Sequence, residues 1–387
     1  MKRIAIFGST GSIGKSTLEV VKHLSAHFKV FALAAGTNYH LLAKQVIITK
    51  PEIVVTSDEK TKDKLYHTLK SAVNKVTILT GEQGLNEVAT SRQTDILVMA
   101  MSGTQGIIPL IKAIEKKKRI ALSTKELLVG FGKIIMAKAK KYNTEVLPVD
   151  SELVSLHQCL YARDPNEIKK LIITASGGPF FKRKNLSGIT ISEALKHPIW
   201  KMGKKITVDS ATLANKGLEV IETSRLFSIP PEKIDVLIHP QSIVHAMVEF
   251  NDNTISATLS LPDMRVCIQY ALTFPNRYPS LIRSLNLINQ ADLQFYKPDL
   301  ERFSALKLAY DAACANGTAP CVFNAANEVA VNNFIAGKIS FNMIPKIIKK
   351  ALNTLPYIKH PNLQTLLKYE AIATDYTKSI IARGTTD

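Results

Sequence analysis

Over residues 1 to about 150, short runs of apolar, β-branched residues alternate with segments whose apolar positions recur at helical spacing. The runs at 3–7, 29–35, 52–55, 76–79, 95–100, 119–122 and 145–149 predict strands, and 13–24, 38–48, 104–117 and 125–141 predict helices between them. Strict strand–helix alternation implies a parallel sheet covered by helices on both faces. The pattern then changes. The apolar run Leu171–Ala175 predicts a buried strand, 212–226 a helix, and the runs 242–250 and 254–260 around Asn251-Asp252-Asn253 an antiparallel hairpin. Residues 276–300 carry Pro275, Pro279 and Pro298 in or beside them and read as irregular. From about 303 the text is helical, with starts near Ser304, Pro320, Ser340 and Pro361, and neither repeats nor low-complexity tracts occur.

The fold class expected is therefore α/β. An N-terminal Rossmann-like parallel-sheet domain spans 1–149, a central α+β domain 150–275, a linker 276–302, and a C-terminal α-helical domain 303–387. A chain of 387 residues is too long for one core, which agrees with that division. No run of about 18 apolar residues is present, so no membrane span is expected. Met1-Lys2-Arg3 leads directly into Ile4–Phe7, too short for a signal h-region, and a cytoplasmic protein is expected. Cys159, Cys267, Cys314 and Cys321 form no CxxC pair and read as buried reduced thiols, not a zinc site. The formal charge of +18 comes mostly from lysines in helical text, such as Lys116-Lys117-Lys118-Arg119, with no interleaved aromatic residues. Solvated helix faces account for it, with steering of anionic ligands as a by-product. A nucleic-acid partner is not expected.

Gly8-Ser9-Thr10-Gly11-Ser12-Ile13-Gly14 follows a strand and opens a helix, the context in which such a motif binds a dinucleotide. Glycines let the backbone approach a pyrophosphate, and the helix N-terminus offers free N–H groups. The spacing is GxxGxxG, a variant of GxGxxG. Residues 9–16 also lie one residue from a P-loop, with Ser9 where its first glycine belongs, so an NTPase stays as a minor alternative. After the second strand, Ala34-Ala35-Gly36-Thr37-Asn38 carries no carboxylate to repel a 2′-phosphate, which favours NADP over NAD.

Val149-Asp150-Ser151-Glu152 closes the last strand of this region, where residues two apart share a face, so Asp150 and Glu152 can converge. Like charges so close favour a cation between them, and a solvated strand end is the alternative. Downstream, Ser210-Ala211-Thr212-Leu213-Ala214-Asn215-Lys216-Gly217-Leu218-Glu219 reads as a cap running into a helix that carries Asn215, Lys216 and Glu219 on one side. Lys216, Asn215 and Ser210 suit a phosphate, and Glu219 a third oxygen for a hard divalent cation; a plain surface ion pair is the alternative. Ser176-Gly177-Gly178 is a second phosphate-type turn. His197-Pro198-Ile199-Trp200-Lys201-Met202-Gly203 holds the sole tryptophan in a loop bounded by Pro and Gly, and 196–205 suits a mobile lid.

Taken together, GSTGSIGKSTL at 8–18, PVDSE at 148–152, SGGPF at 176–180, HP-IW-MG at 197–203, KITVDSATLANKGLE at 205–219, HPQSIVHAMV at 239–248, LPDMR at 261–265 and NAANE at 324–328 resemble the 1-deoxy-D-xylulose 5-phosphate reductoisomerase family over the whole chain. The resemblance implies NADPH- and metal-dependent rearrangement and reduction of a phosphorylated sugar in isoprenoid precursor synthesis. It implies Asp150, Glu152 and Glu219 as ligands of Mg²⁺, Mn²⁺ or Co²⁺. By the same resemblance, Ser151 and Asn215 would hold substrate hydroxyls, Ser176, Ser210, Asn215 and Lys216 the phosphate, and His197, Trp200 and Met202 would belong to the lid. Gly8, Thr10, Gly11, Ser12, Ile13, Gly36, Thr37, Asn38, Thr124, Lys125, Glu126 and Gly203 would contact the cofactor, with Lys125 near substrate as well. A homodimer is implied. The chain departs from the family pattern at Leu153-Val154, Thr124 and Ser260-Leu261. Two rivals are a semialdehyde dehydrogenase, which needs a nucleophilic cysteine in a strand-to-helix turn, and a non-catalytic NADP sensor or nucleic-acid-binding regulator.

Overall fold

The computed structural model describes residues 1–69, 76–290 and 292–384. The first region forms a seven-stranded sheet of β1 (Lys2–Phe7), β2 (Phe28–Ala34), β3 (Ile53–Thr56), β4 (Thr77–Thr80), β5 (Ile96–Met99), β6 (Arg119–Leu122) and β7 (Val146–Pro148). Its spatial order is β4-β3-β2-β1-β5-β6-β7, and every neighbouring pair is parallel. Ile4, Ile6, Leu33, Ile96 and Val98 are fully buried in it, as helix-covered faces require. The strand order turns back between β1 and β5, so the carboxyl ends of these two strands border a crevice suited to a ligand. The seven expected strands are the seven observed. Helices Glu59–Leu69 and Gly81–Thr90 add two crossovers, and the helix expected over 104–117 is shorter, Ile107–Glu115.

By packing, the chain divides into two compact units, and these are not the three sequence segments expected. The first unit gathers residues 1–127, 135–154 and 263–283. Residues 263–283 return to it because helix Met264–Thr273 buries Ile268, Ala271 and Leu272 in the same cluster as Ile4, Leu147 and Val149. Polar contacts fix the return: Arg119 Nη1 donates to Phe274 O at 2.7 Å, and Gln269 Nε2 to Tyr278 O at 2.8 Å.

The second unit comprises 128–134, 155–262 and 284 onward. Its sheet contains β8 (Ile168–Ala175), β9 (Ile234–Ile238), β10 (Val244–Phe250) and β11 (Ile255–Leu259), in the order β11-β10-β8-β9. The β10–β11 pair is the expected antiparallel hairpin, while β8 and β9 run parallel. Four helices follow, Ser304–Ala315, Ala319–Ile335, Met343–Thr354 and Leu363–Ala382. Ala319–Ile335 is buried on nearly every side, Asn324 and Asn327 included, as a helix enclosed by neighbours is. Its Phe323 and Phe334 share one core with Leu171, Ile173 and Val236 of the sheet, so the α+β region and the C-terminal helices are one packing unit. The described residues between 284 and 303 are irregular, apart from a 3₁₀ turn at Leu287–Asn289 and a bridge from Tyr296 to Ile238. No helix among the described residues is long and apolar enough to cross a membrane.

Candidate active site

In the first unit, the glycine turn is shaped by steric need. Gly8 has φ +89°, and a Cβ there would lie 2.2 Å from Ala100 O on the neighbouring strand end. At Gly14 a Cβ would lie 2.3 Å from Gly8 O, so the helix start packs closer to the turn than any side chain allows. Gly8 N and Ser9 N both donate to Ala34 O at 2.9 Å, tying the turn to the end of β2. The helix Ser12–His23 has Gly11 as N-cap with no side chain spent on its first N–H groups, which leaves them for an anion.

A cleft of about 600 Å³ opens beside this turn, at the carboxyl ends of β1, β2, β3 and β5. Gly8, Thr10, Gly11 and Gly36 line it. Ser12 and Ile13 form the first helical positions behind the lining, and Asn38 instead caps helix Tyr39–Thr49, accepting from Leu41 N at 3.2 Å. Ser57, Glu82, Met101, Ser102 and Gln105 also line the cleft and were not singled out from sequence, because the glycines near them do not form the three-glycine spacing of the first turn. Thr124 caps no helix N–H. Its hydroxyl donates to Met101 O at 2.7 Å, anchoring the start of helix Lys125–Tyr142, whose first two residues are Lys125 and Glu126.

Asp150 and Glu152 do not alternate along a strand. β7 ends at Pro148, and Asp150 starts helix Ser151–Leu160. Asp150 Oδ1 accepts from Glu152 N at 3.2 Å and Leu153 N at 3.3 Å, the pattern of an N-cap. The two carboxylates are neighbours because one caps the turn that the other begins. The departure at Leu153 is explained by the core, since Leu153 is fully buried. Buried Lys125 pairs with Asp150, which anchors the carboxylate and offsets part of its desolvation. Ser151 Oγ hydrogen-bonds Glu152, keeping the three-residue corner compact.

In the second unit, the helix expected over 212–226 is Ala214–Phe227, and a separate short helix precedes it. Helix Lys204–Ala211 ends at Thr212, Leu213 turns through φ +59°, and Ala214–Phe227 begins. Ser210 therefore sits in a last turn and is not a cap. The expected face of the second helix is present: Asn215 Nδ2 donates to Glu219 Oε1 at 2.6 Å, and Lys216 pairs with Glu219. Lys216 is 3% and Glu219 1% exposed, so this is a buried ion pair and not a surface one. Such a pair is expensive to desolvate, and loss of either partner strands a charge.

Ser176, His197 and Ser210 form one cluster. His197 Nδ1 accepts from Ile199 N at 3.1 Å and Trp200 N at 2.8 Å, so the ring proton must reside on Nε2. Nε2 lies 2.9 Å from Ser176 Oγ and 3.2 Å from Ser210 Oγ, to which it donates. Burial pushes the His197 pKa down to about 4, and two N–H donors aimed at Nδ1 oppose protonation as well. A neutral ring thus organises the loop and two hydroxyls together. Gly177 and Gly178 follow Ser176 with φ +85° and +62°, and a Cβ on Gly178 would strike Ser210 O at 2.8 Å. Trp200 and Met202 are half-buried in the loop, Trp200 beside His245 with ring centroids 6.3 Å apart, and Gly203 caps helix Lys204–Ala211. Asp209, 1% exposed, is held by Lys205 Nζ at 2.9 Å and Asn327 Nδ2 at 2.8 Å, a buried tether of the Ser210 helix not singled out from sequence.

An open parallel sheet with a glycine turn at its crevice, continued by an α+β unit with buried polar side chains, defines the class of oxidoreductases that carry a Rossmann-type dinucleotide unit. The profile described as 1-deoxy-D-xylulose 5-phosphate reductoisomerase matches residues 4–132, and profiles of its C-terminal domains match 146–227 and 259–376. The reductoisomerase of Lachnospira eligens is 46% identical over 383 residues, 98% of this chain and 100% of its own. That of Caldanaerobacter subterraneus is 46% identical over 96% of this chain and 97% of its own. A crystal structure of DOX-P reductoisomerase with NADPH, fosmidomycin and magnesium superimposes with TM-score 0.94 at 35% identity, covering all of both chains. The Zymomonas mobilis enzyme with NADPH gives 0.90 at 36% identity, covering 98% of this chain and 99% of that one. The chain belongs to the 1-deoxy-D-xylulose 5-phosphate reductoisomerase family.

Proposed function

We propose that the protein converts 1-deoxy-D-xylulose 5-phosphate to 2-C-methyl-D-erythritol 4-phosphate with NADPH and a divalent metal, Mg²⁺ or Mn²⁺. The observation that carries this reading is family membership over the full chain together with a glycine-turn cleft that fits a dinucleotide. Gly8 and Gly14 leave no room for a Cβ, and the helix start beyond them keeps its N–H groups uncommitted, as a pyrophosphate requires. The metal donors proposed are Asp150, Glu152 and Glu219. Three carboxylates are the hard oxygen set that such ions prefer, and Asp150 and Glu219 are both buried, which a bound cation would help to compensate. When bound, the nucleotide supplies a hydride and the ion polarises substrate oxygens.

The chain's own residues then have separable tasks. Lys216, Ser176, Ser210 and Asn215 hold the non-reacting phosphate, whose binding energy positions the reacting carbons. Ser151 and Asn215 hold substrate hydroxyls. Lys125 orients the Asp150 carboxylate and presents its ammonium near nicotinamide and substrate. Neutral His197 keeps Ser176 and Ser210 oriented and couples them to the Trp200 loop, which excludes water when it closes. Thr10 to Ile13, Gly36 to Asn38, Thr124 to Glu126 and Gly203 make up the proposed cofactor contacts. A cytoplasmic homodimer without nucleic-acid or membrane partners completes the reading; the free cysteines suit a reducing compartment. Loss of NADPH absorbance on adding 1-deoxy-D-xylulose 5-phosphate, with and without chelator, tests the activity. No oxidation at saturating metal would overturn it. Sedimentation equilibrium reads the subunit number.

A further inference from the structure

We infer that the second unit holds a further anion site, distinct from the phosphate residues above, that takes a phosphate or diphosphate group on Arg225. A pocket of about 180 Å³ lies where helix Lys125–Tyr142, helix Ala214–Phe227 and the segment 359–361 approach, lined by Gly132, Lys133, Arg225, Asn316, Lys359 and His360. All of these residues belong to one packing unit.

The pocket is built by two glycines. A Cβ on Gly132 would lie 2.8 Å from Arg225 Cγ, so the absent side chain makes room for the arginine stem. Gly317 has φ +51°, and a Cβ there would meet Ile358 O at 2.2 Å. That close approach, with Thr318 N donating to Ile358 O at 3.0 Å and Ile358 N to Thr318 Oγ1 at 3.1 Å, sets Lys359 and His360 beside Asn316.

The charges in this pocket are uncompensated. Arg225 is half-buried, and Nη2 donates to the neutral Asn316 Oδ1 at 2.9 Å. Among the described residues no carboxylate pairs with Arg225, Lys133 or Lys359. A guanidinium carries five N–H donors in a planar fork that matches phosphate oxygens. Desolvation lowers the pKa of Arg225, and desolvation followed by the Arg225 charge lowers that of Lys133. Both directions signal cations held together without a counter-charge, a state that a bound anion relieves. The small volume of the pocket favours a phosphate or diphosphate group over a larger ligand, and the cations around it select an anion over the apolar groups that its Phe131 and Leu366 walls would also accept.

Equilibrium dialysis with radiolabelled inorganic phosphate and diphosphate, at constant ionic strength in chloride, tests the site on the whole protein. Wild type and Lys216→Gln are expected to share a binding class that Arg225→Gln weakens at least tenfold and Lys133→Gln several-fold. The two ligands distinguish a single phosphate from a diphosphate as the preferred group. Unchanged binding in both Arg225→Gln and Lys133→Gln would overturn the site, as would complete loss of binding in Lys216→Gln alone. Should Arg225→Gln fail to fold, Lys133→Gln and His360→Gln, at the exposed rim, decide the question. This outcome is independent of turnover, so the site and the proposed activity fail separately.

Discussion

At the scale of single residues, the buried Lys216–Glu219 pair and the neutral His197 hub make the sharpest demands. Glu219→Gln keeps the side-chain shape and removes the charge proposed for the metal. The glutamine offers one acceptor oxygen where the carboxylate offers two, so it cannot serve Asn215 Nδ2 on one side and Lys216 Nζ on the other, and it removes the carboxylate that balances the buried Lys216 charge. A loss of stability of about 3–5 kcal/mol is expected beside a fall in turnover by orders of magnitude. Circular dichroism and an NADPH assay read the two separately, and near-wild-type activity would remove Glu219 from the ligand set. Lys216→Ala is expected mainly to raise KM for the phosphorylated substrate. For His197, the ring should titrate by NMR with a midpoint near 4, where burial has pushed it. Because the folded-state value lies below the ordinary 6.5, its contribution to stability is present above pH 6.5. That contribution is lost as the pH falls from 6.5 toward 4, where the unfolded chain binds a proton that the folded ring refuses. A midpoint at 6.5 would show that the ring is not buried as described.

At the scale of elements, Asp150 has two separable roles. Its carboxylate caps helix Ser151–Leu160 through two backbone N–H groups. Asp150→Asn should preserve that cap and lose activity. Asp150→Ala should lose both, with the missing cap costing about 1 kcal/mol. For a unit of this size that is a fall in Tm of about 2–4 °C relative to Asp150→Asn. Equal melting of the two variants would mean that the side chain is not the cap. The glycine turn sets a harder limit. Gly8→Ala places a Cβ on Ala100 O, at a φ that disfavours any side chain. NADPH binding, followed by fluorescence, is expected to be lost or weakened by orders of magnitude.

At the scale of the molecule, the lid and the cofactor preference are the readable quantities. Full burial of a tryptophan removes about 150–250 Å² from water, roughly 4–6 kcal/mol at 25 cal/mol/Å² before ordering costs. Trp200 is already half-buried beside His245, so closure gains a fraction of that. As the sole tryptophan, it gives an emission spectrum that reports the loop alone. A blue shift on adding substrate with metal is expected, and an unchanged spectrum at saturation would end the lid reading. NADPH should be oxidised faster than NADH at equal concentration, because no carboxylate follows β2 at Gly36 to Asn38.

Much of the protein was determined by local sequence. Strand–helix alternation fixed the parallel sheet, because the two periods are properties of consecutive residues. The glycine turn was legible because its spacing lies within seven residues, although the close approach that demands Gly8 comes from Ala100 on a neighbouring strand end, and the Asn215–Lys216–Glu219 face because helical spacing alone aligns it. Tertiary structure decided the rest. Asp150 and Glu152 look the same on paper as strand neighbours or as a helix cap, and only the end of β7 at Pro148 settles which. Nothing between Ser210 and Glu219 announces the left-handed turn at Leu213, which packing imposes on a residue that does not favour it. The return of 263–283 to the first unit, the cleft residues Ser57 and Gln105, and the pocket on Arg225 all join segments far apart in the chain. Long-range apolar burial selects those neighbours, and no local pattern encodes it.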